Sequence, residues 1–131
     1  MNREIAKIGK EIIDSLPEYV TELISNFATV SEKLRIGSDE EAMELFNKSI
    51  NSLGDLWELV TTLISLGVIE NNEQLKNITD KMSNFIEQLV EAKEEEDFVL
   101  LADIMEYETE NALSGILNVN VTKSIKGEND E

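Results

Sequence analysis

The chain contains no cysteine and no histidine, a single proline, and only 11 Lys and Arg against 28 Asp and Glu. Each shortage excludes something. Without cysteine there are no disulfide frameworks, thiol nucleophiles or sulfur-ligated zinc sites, and without histidine the usual neutral-pH base and the commonest transition-metal ligand are gone. The surplus of acid gives a formal net charge of −17, which repels nucleic-acid backbones and anionic lipid headgroups alike, so neither is expected as a partner. No stretch approaches the roughly 18 uncharged residues that a membrane-spanning helix needs, and the start lacks a signal-peptide apolar run, so a cytoplasmic location is the expectation. Glycine-rich phosphate loops and serine nucleophile elbows are missing too, and seven aromatic residues, most at core-like positions, do not suggest a sugar-binding cleft.

What is present is helix. Of the 131 residues 41% are apolar, enough for one domain with a sizeable core. In the first segment Ile5, Ile8, Ile12, Leu16, Val20, Leu23, Phe27, Val30 and Leu34 recur three or four apart, which is the period of a one-sided helix. Pro17 lies within this stripe. Because the register survives it, one helix bent at Pro17 is expected over residues 2–35, with two helices meeting near Asp14–Pro17 as the alternative. Gly37 suits a left-handed C-cap.

Ser38-Asp39-Glu40-Glu41 reads as a capping box opening a second helix over 39–68, in which Ser38 accepts from the Glu41 amide while Glu41 reaches back. Asn71 and Asn72 offer the cap of a third helix over 72–94, whose stripe Leu75, Ile78, Met82, Phe85, Leu89 and Ala92 alternates steps of three and four. After the acidic run Glu94 to Asp97, Asp97 is the expected N-cap of a last helix over 98–117. Short connections between such helices imply an all-α, antiparallel up-down-up-down four-helix bundle over residues 1–121, followed by a disordered tail over 122–131.

The charge is uneven. Residues 1–36 carry a net −1, whereas residues 37–92 carry −8 and residues 93–121 carry −7. Helices three and four are expected to leave the end of the first pair uncovered, exposing an apolar lip of Val30, Leu34, Ile36 and Met43 flanked by Lys33 and Arg35. This lip is the candidate partner-binding surface. On a helical wheel Glu108 falls inside the apolar face of the fourth helix, between Leu101 and Ile104, making it a candidate buried polar or ligand position, with Tyr107, Trp57, Tyr19 and Lys48 as donors that could reach it. The diiron arrangement of four-helix bundles needs histidine, and Glu94 to Asp97 lacks the spacing of a calcium loop, so no metal and no cofactor is assigned.

The segment Asp97-Phe98-Val99-Leu100-Leu101-Ala102-Asp103-Ile104-Met105-Glu106-Tyr107-Glu108, after an acidic helix, resembles a stretch in small, acidic, uncharacterised helical-bundle proteins of Firmicutes, some flagella-associated. The likeness covers about 20 of 131 residues and assigns no chemistry. In size and helix count the chain is also similar to the flagellar-export chaperone bundle. The function expected is therefore that of a non-enzymatic protein-binding module, adaptor or chaperone-like, recognising a basic or amphipathic helix through apolar surface ringed by acid. A self-associating structural protein, with the lip buried in a homodimer, and a carboxylate-based metal or small-ligand binder stand as alternatives.

Overall fold

The computed structural model describes residues 3–119. The expected tail over 122–131, and the last two residues of the expected domain, lie outside the described residues. Within them the chain is all-α. Helix α1 spans Arg3–Arg35, α2 Asp39–Ser65, α3 Glu73–Glu94, α4 Phe98–Tyr107 and α5 Thr109–Leu113, and a 3-10 turn covers Ser114–Asn118. No helix among the described residues is long and apolar enough to cross a membrane.

Helix α1 is continuous through Pro17, although proline has no N–H to give the carbonyl of Ile13. Past the proline the expected stripe is the buried one: Leu16, Val20, Leu23, Phe27, Val30 and Leu34 all face the core. Before it the face turns. Ala6 and Gly9 are buried, Ile5 and Ile12 are half-buried, and Ile8 is half exposed. The reason is Val68. It is completely buried and lies so close to Gly9 that a Cβ added there would come within 2.8 Å of both its methyl groups. Small residues let the connection after α2 press onto the helix where bulky isoleucines would hold it off.

Three helices end in the same way. After α1, the Gly37 N–H bonds the Leu34 carbonyl and the Ser38 N–H bonds the Lys33 carbonyl, with Gly37 at φ +83°. After α2, Gly67 and Val68 bond Ile64 and Leu63, with Gly67 at φ +76°. After α3, Glu96 and Asp97 bond Lys93 and Ala92, and here the left-handed position is held by a glutamate, at φ +54°. Each is a Schellman motif, which satisfies carbonyls that a helix end leaves without donors. The second motif stops α2 at Ser65, three residues short of the expected end, and folds Val68 and Ile69 back into the core.

Two of the three expected N-caps form. Asn72 Oδ1 accepts from Leu75 N at 2.9 Å and Asp97 Oδ1 from Leu100 N at 3.0 Å. The capping box at Ser38 does not: its side chain makes no cap bond. Its backbone sits at φ −85° and ψ 57°, and its N–H completes the turn that closes α1. The Glu41 carboxylate pairs with Lys33 Nζ at 3.0 Å instead of reaching back.

The backbones of α2 and α4 lie closest to α1, and α3 lies against α4. Phe27 of α1 and Phe85 of α3 meet edge to face in the core, with centroids 5.8 Å apart. Tyr19 Oη donates to the Ser52 carbonyl at 2.9 Å, tying α1 to α2 just past the proline. Helices α2 and α3 are joined through Lys93, which donates to Asn47 Oδ1 at 3.1 Å and lies over the Phe46 ring. These contacts bring the start of α2 beside the end of α3.

The expected fourth helix is interrupted. Thr109 turns its hydroxyl back to the Met105 carbonyl at 2.7 Å, a bond that competes with the backbone ladder and bends helices. Helix α4 closes at Tyr107, and α5 starts after Glu108 with Thr109, Ala112 and Leu113 buried.

Candidate functional site

The end at which α1 turns into α2 is where the first residues of α4 are placed. Leu34, Arg35, Gly37 and Asp39 on one side, and Phe98, Val99 and Ala102 on the other, line a cleft of about 480 Å³. The Asp97 cap starts α4 at this level, so its first two turns lie along the end of α1. The Ser31 hydroxyl fixes the contact by donating to the Ala102 carbonyl at 2.9 Å, inside the core.

This placement corrects the expected apolar lip. Val30 is fully buried and Leu34 almost so, because α4 covers them. Met43 is half-buried against the core. Ile36 alone of the four stands out, with 73% of its surface exposed. Further exposed apolar residues lie on α4, and of these Val99 lines the cleft. Val99 and Tyr107, each also 73% exposed, and Leu100, 43% exposed, lie on the outer face of α4. The signal for them was available in the sequence: Val99, Leu100 and Tyr107 fall opposite the core stripe of Leu101, Ala102 and Met105, where an apolar residue buries nothing within its own helix.

The flanking cations are both engaged. Lys33 pairs with Glu41, and Arg35 Nη2 holds Asp103 Oδ1 at 2.9 Å and also donates to Glu106 Oε2. Hydrogen bonds that Arg35 donates to Asp103 and then to Glu106 raise its pKa above the ordinary value, so its charge is fixed across the accessible pH range. Around the cleft, Asp39 and Glu40 in one turn and Glu94, Glu95 and Glu96 in the other meet no cation among the described residues. Two acidic turns thus flank an apolar opening.

Glu108, Tyr107 and Trp57 are not brought together as a buried polar site. Glu108 is half-buried beside Lys81, Asn84, Gln88 and Asn111 in a small hollow of about 170 Å³. Tyr107 faces outward, and Trp57 packs half-buried along α2. Tyr19 is spent on Ser52, and Lys48 lies 3.9 Å from Glu44. The wheel misplaced Glu108 because it assumed one unbroken helix; the buried polar residue of that region is Thr109. Among the described residues no group of three or more carboxylates is arranged to hold a metal ion.

Residues 11–119 match a family model described as "Domain of unknown function (DUF8042)". No curated protein and no solved structure matches the chain. The matched stretch reaches from the first helix through the closing 3-10 turn, so it includes every residue that lines the cleft.

Proposed function

We propose that this chain, which belongs to the DUF8042 family, is a non-catalytic protein-binding module that receives a segment of another protein at the end formed by the α1–α2 turn and the outer face of α4. The observation that carries this reading is the cleft walled by Leu34, Phe98, Ala102 and the mostly exposed Val99, between an α1–α2 turn that exposes Ile36 and a helix α4 that also exposes Leu100 and Tyr107. Burying apolar surface there supplies roughly 25 cal/mol per Å² of apolar area. The acid on both flanking turns selects against acidic partners.

The helices are read as an antiparallel up-down-up-down four-helix bundle in which α5 and the 3-10 turn prolong α4, with α1 bent at Pro17. Supporting this are the tight turns at Gly37 and Glu96 and the side-chain bridges from α1 to α2, from α1 to α4 and from α2 to α3. Such a bundle presents its cleft on rigid helix ends, which favours recognition of a preformed segment.

The test is capture of partners from the source cell by the wild type and by Val99→Asp. A protein retained by the wild type and lost with the variant supports the reading, provided the helical circular dichroism of the two is the same. Equal retention by both discards the site.

A further inference from the structure

We propose that Arg35 is a placeholder: it occupies, in the free protein, the Asp103 and Glu106 carboxylates that a basic residue of a cationic amphipathic helix takes over when its apolar face fills the cleft. This inference rests on the binding reading above and names the chemistry of the occupant. Three observations lead to it. Arg35 lines the cleft and also holds both carboxylates, so the same side chain borders the apolar opening and caps its acidic edge. Asp103 and Glu106 lie three apart on one face of α4, where like charges repel unless a cation lies between them. The cluster is open: the side chains of Arg35, Asp103 and Glu106 are 40%, 47% and 46% exposed, so it can exchange one cation for another with little change in solvation.

Charge decides the occupant. Asp39 lines the cleft, and Asp39, Glu40, Glu94, Glu95 and Glu96 meet no cation among the described residues, so an arriving Lys or Arg finds carboxylates beyond the pair that Arg35 gives up. A second copy of this chain, at net −17, is the wrong sign for the same place. A helix with leucines at i, i+3, i+4 and i+7 and basic residues on its flanks matches both the apolar walls and the acidic rim. Arg35 then swings its guanidinium toward solvent, and its stem remains part of the wall.

The experiment uses the full chain and a synthetic 18-residue helix of leucine and lysine in that pattern, with a scrambled peptide of equal composition and a leucine–glutamate peptide as references, titrated calorimetrically at two salt concentrations. The patterned basic peptide is expected to bind, more tightly at low salt, while the two references bind at least about tenfold more weakly. Arg35→Met, which keeps the stem and removes the charge, is expected to bind about two- to fivefold more tightly, the range a half-exposed ion pair supports. In an Asp103→Asn/Glu106→Gln background that gain should vanish. Equal binding of the scrambled peptide, no binding of the patterned one, or an Arg35→Met variant that binds no better than the wild type overturns the placeholder. If the peptide fails while a cellular partner still depends on Val99, the binding surface stands and only its proposed occupant falls.

Discussion

The Ser31 hydroxyl reaches the Ala102 carbonyl at 2.9 Å across the buried contact of α1 with α4, joining residues 71 positions apart. This bond holds the first turns of α4 against the end of α1, and so builds one wall of the cleft. Ser31→Ala is expected to cost about 1 kcal/mol in urea denaturation, the worth of a neutral hydrogen bond. Ser49, buried in α2 with no partner for its hydroxyl, is the contrast: Ser49→Ala is expected to be neutral or stabilising by up to about 1 kcal/mol, because it removes an unsatisfied polar group. Equal losses at both sites would contradict this account.

Glycine acts oppositely at two helical positions. A Cβ at Gly54 meets nothing, so Gly54→Ala should stabilise by about 1 kcal/mol through helix propensity alone. At Gly9 it would strike both Val68 methyls at 2.8 Å, and Val68 is β-branched and buried, with little freedom to move. Gly9→Ala should therefore destabilise, by about 1–3 kcal/mol as overpacked cores do, with much of the loss recovered in Gly9→Ala/Val68→Ala. Thermal melts of the three variants beside the wild type decide it.

Glu96 holds the left-handed position that glycine holds in the turns after α1 and α2. Glu96→Gly should relieve about 1 kcal/mol of backbone strain, partly offset by a more flexible unfolded chain, and should also thin the acidic run. The expected result is a Tm higher by roughly 3–5 °C, most marked at low salt. A lower Tm would mean that the glutamate side chain contributes something its backbone conformation hides.

At the cleft, Val99→Asp and Ile36→Asp replace side chains that are mostly exposed, so both variants should fold with unchanged helical content and shift stability by no more than about 0.5 kcal/mol. Partner capture should fall by at least about tenfold in each. Leu34→Asp differs: Leu34 is nearly buried beneath α4, so that substitution should unfold the end of the molecule and cannot report on binding. Urea melts run beside the capture assay separate the two cases.

The positions of most helix ends could be read directly from the sequence. Gly37, Asn72 and Asp97 act within four residues of themselves, and a helix end needs nothing more distant. The Ser38 box did not form, although Asp97, which likewise closes the helix before it, caps α4; at Ser38 the Glu41 carboxylate pairs with Lys33 instead. Of the site, Ile36 was recognisable, and Val99, Leu100 and Tyr107 had the spacing of an outward face.

By itself the sequence determined an all-α chain, its acidic surface, and the core stripe from Leu16 to Leu34, because helical periodicity, capping and charge are properties of neighbouring residues. Only the tertiary structure decided that α4 covers Val30 and Leu34, that Val68 packs on Gly9 while Ile8 stays half exposed, and that Arg35 meets Asp103, 68 residues away. Those outcomes depend on which helix ends arrive side by side. That is fixed by turn geometry and by the break at Glu108, where a helix that periodicity alone would continue is interrupted.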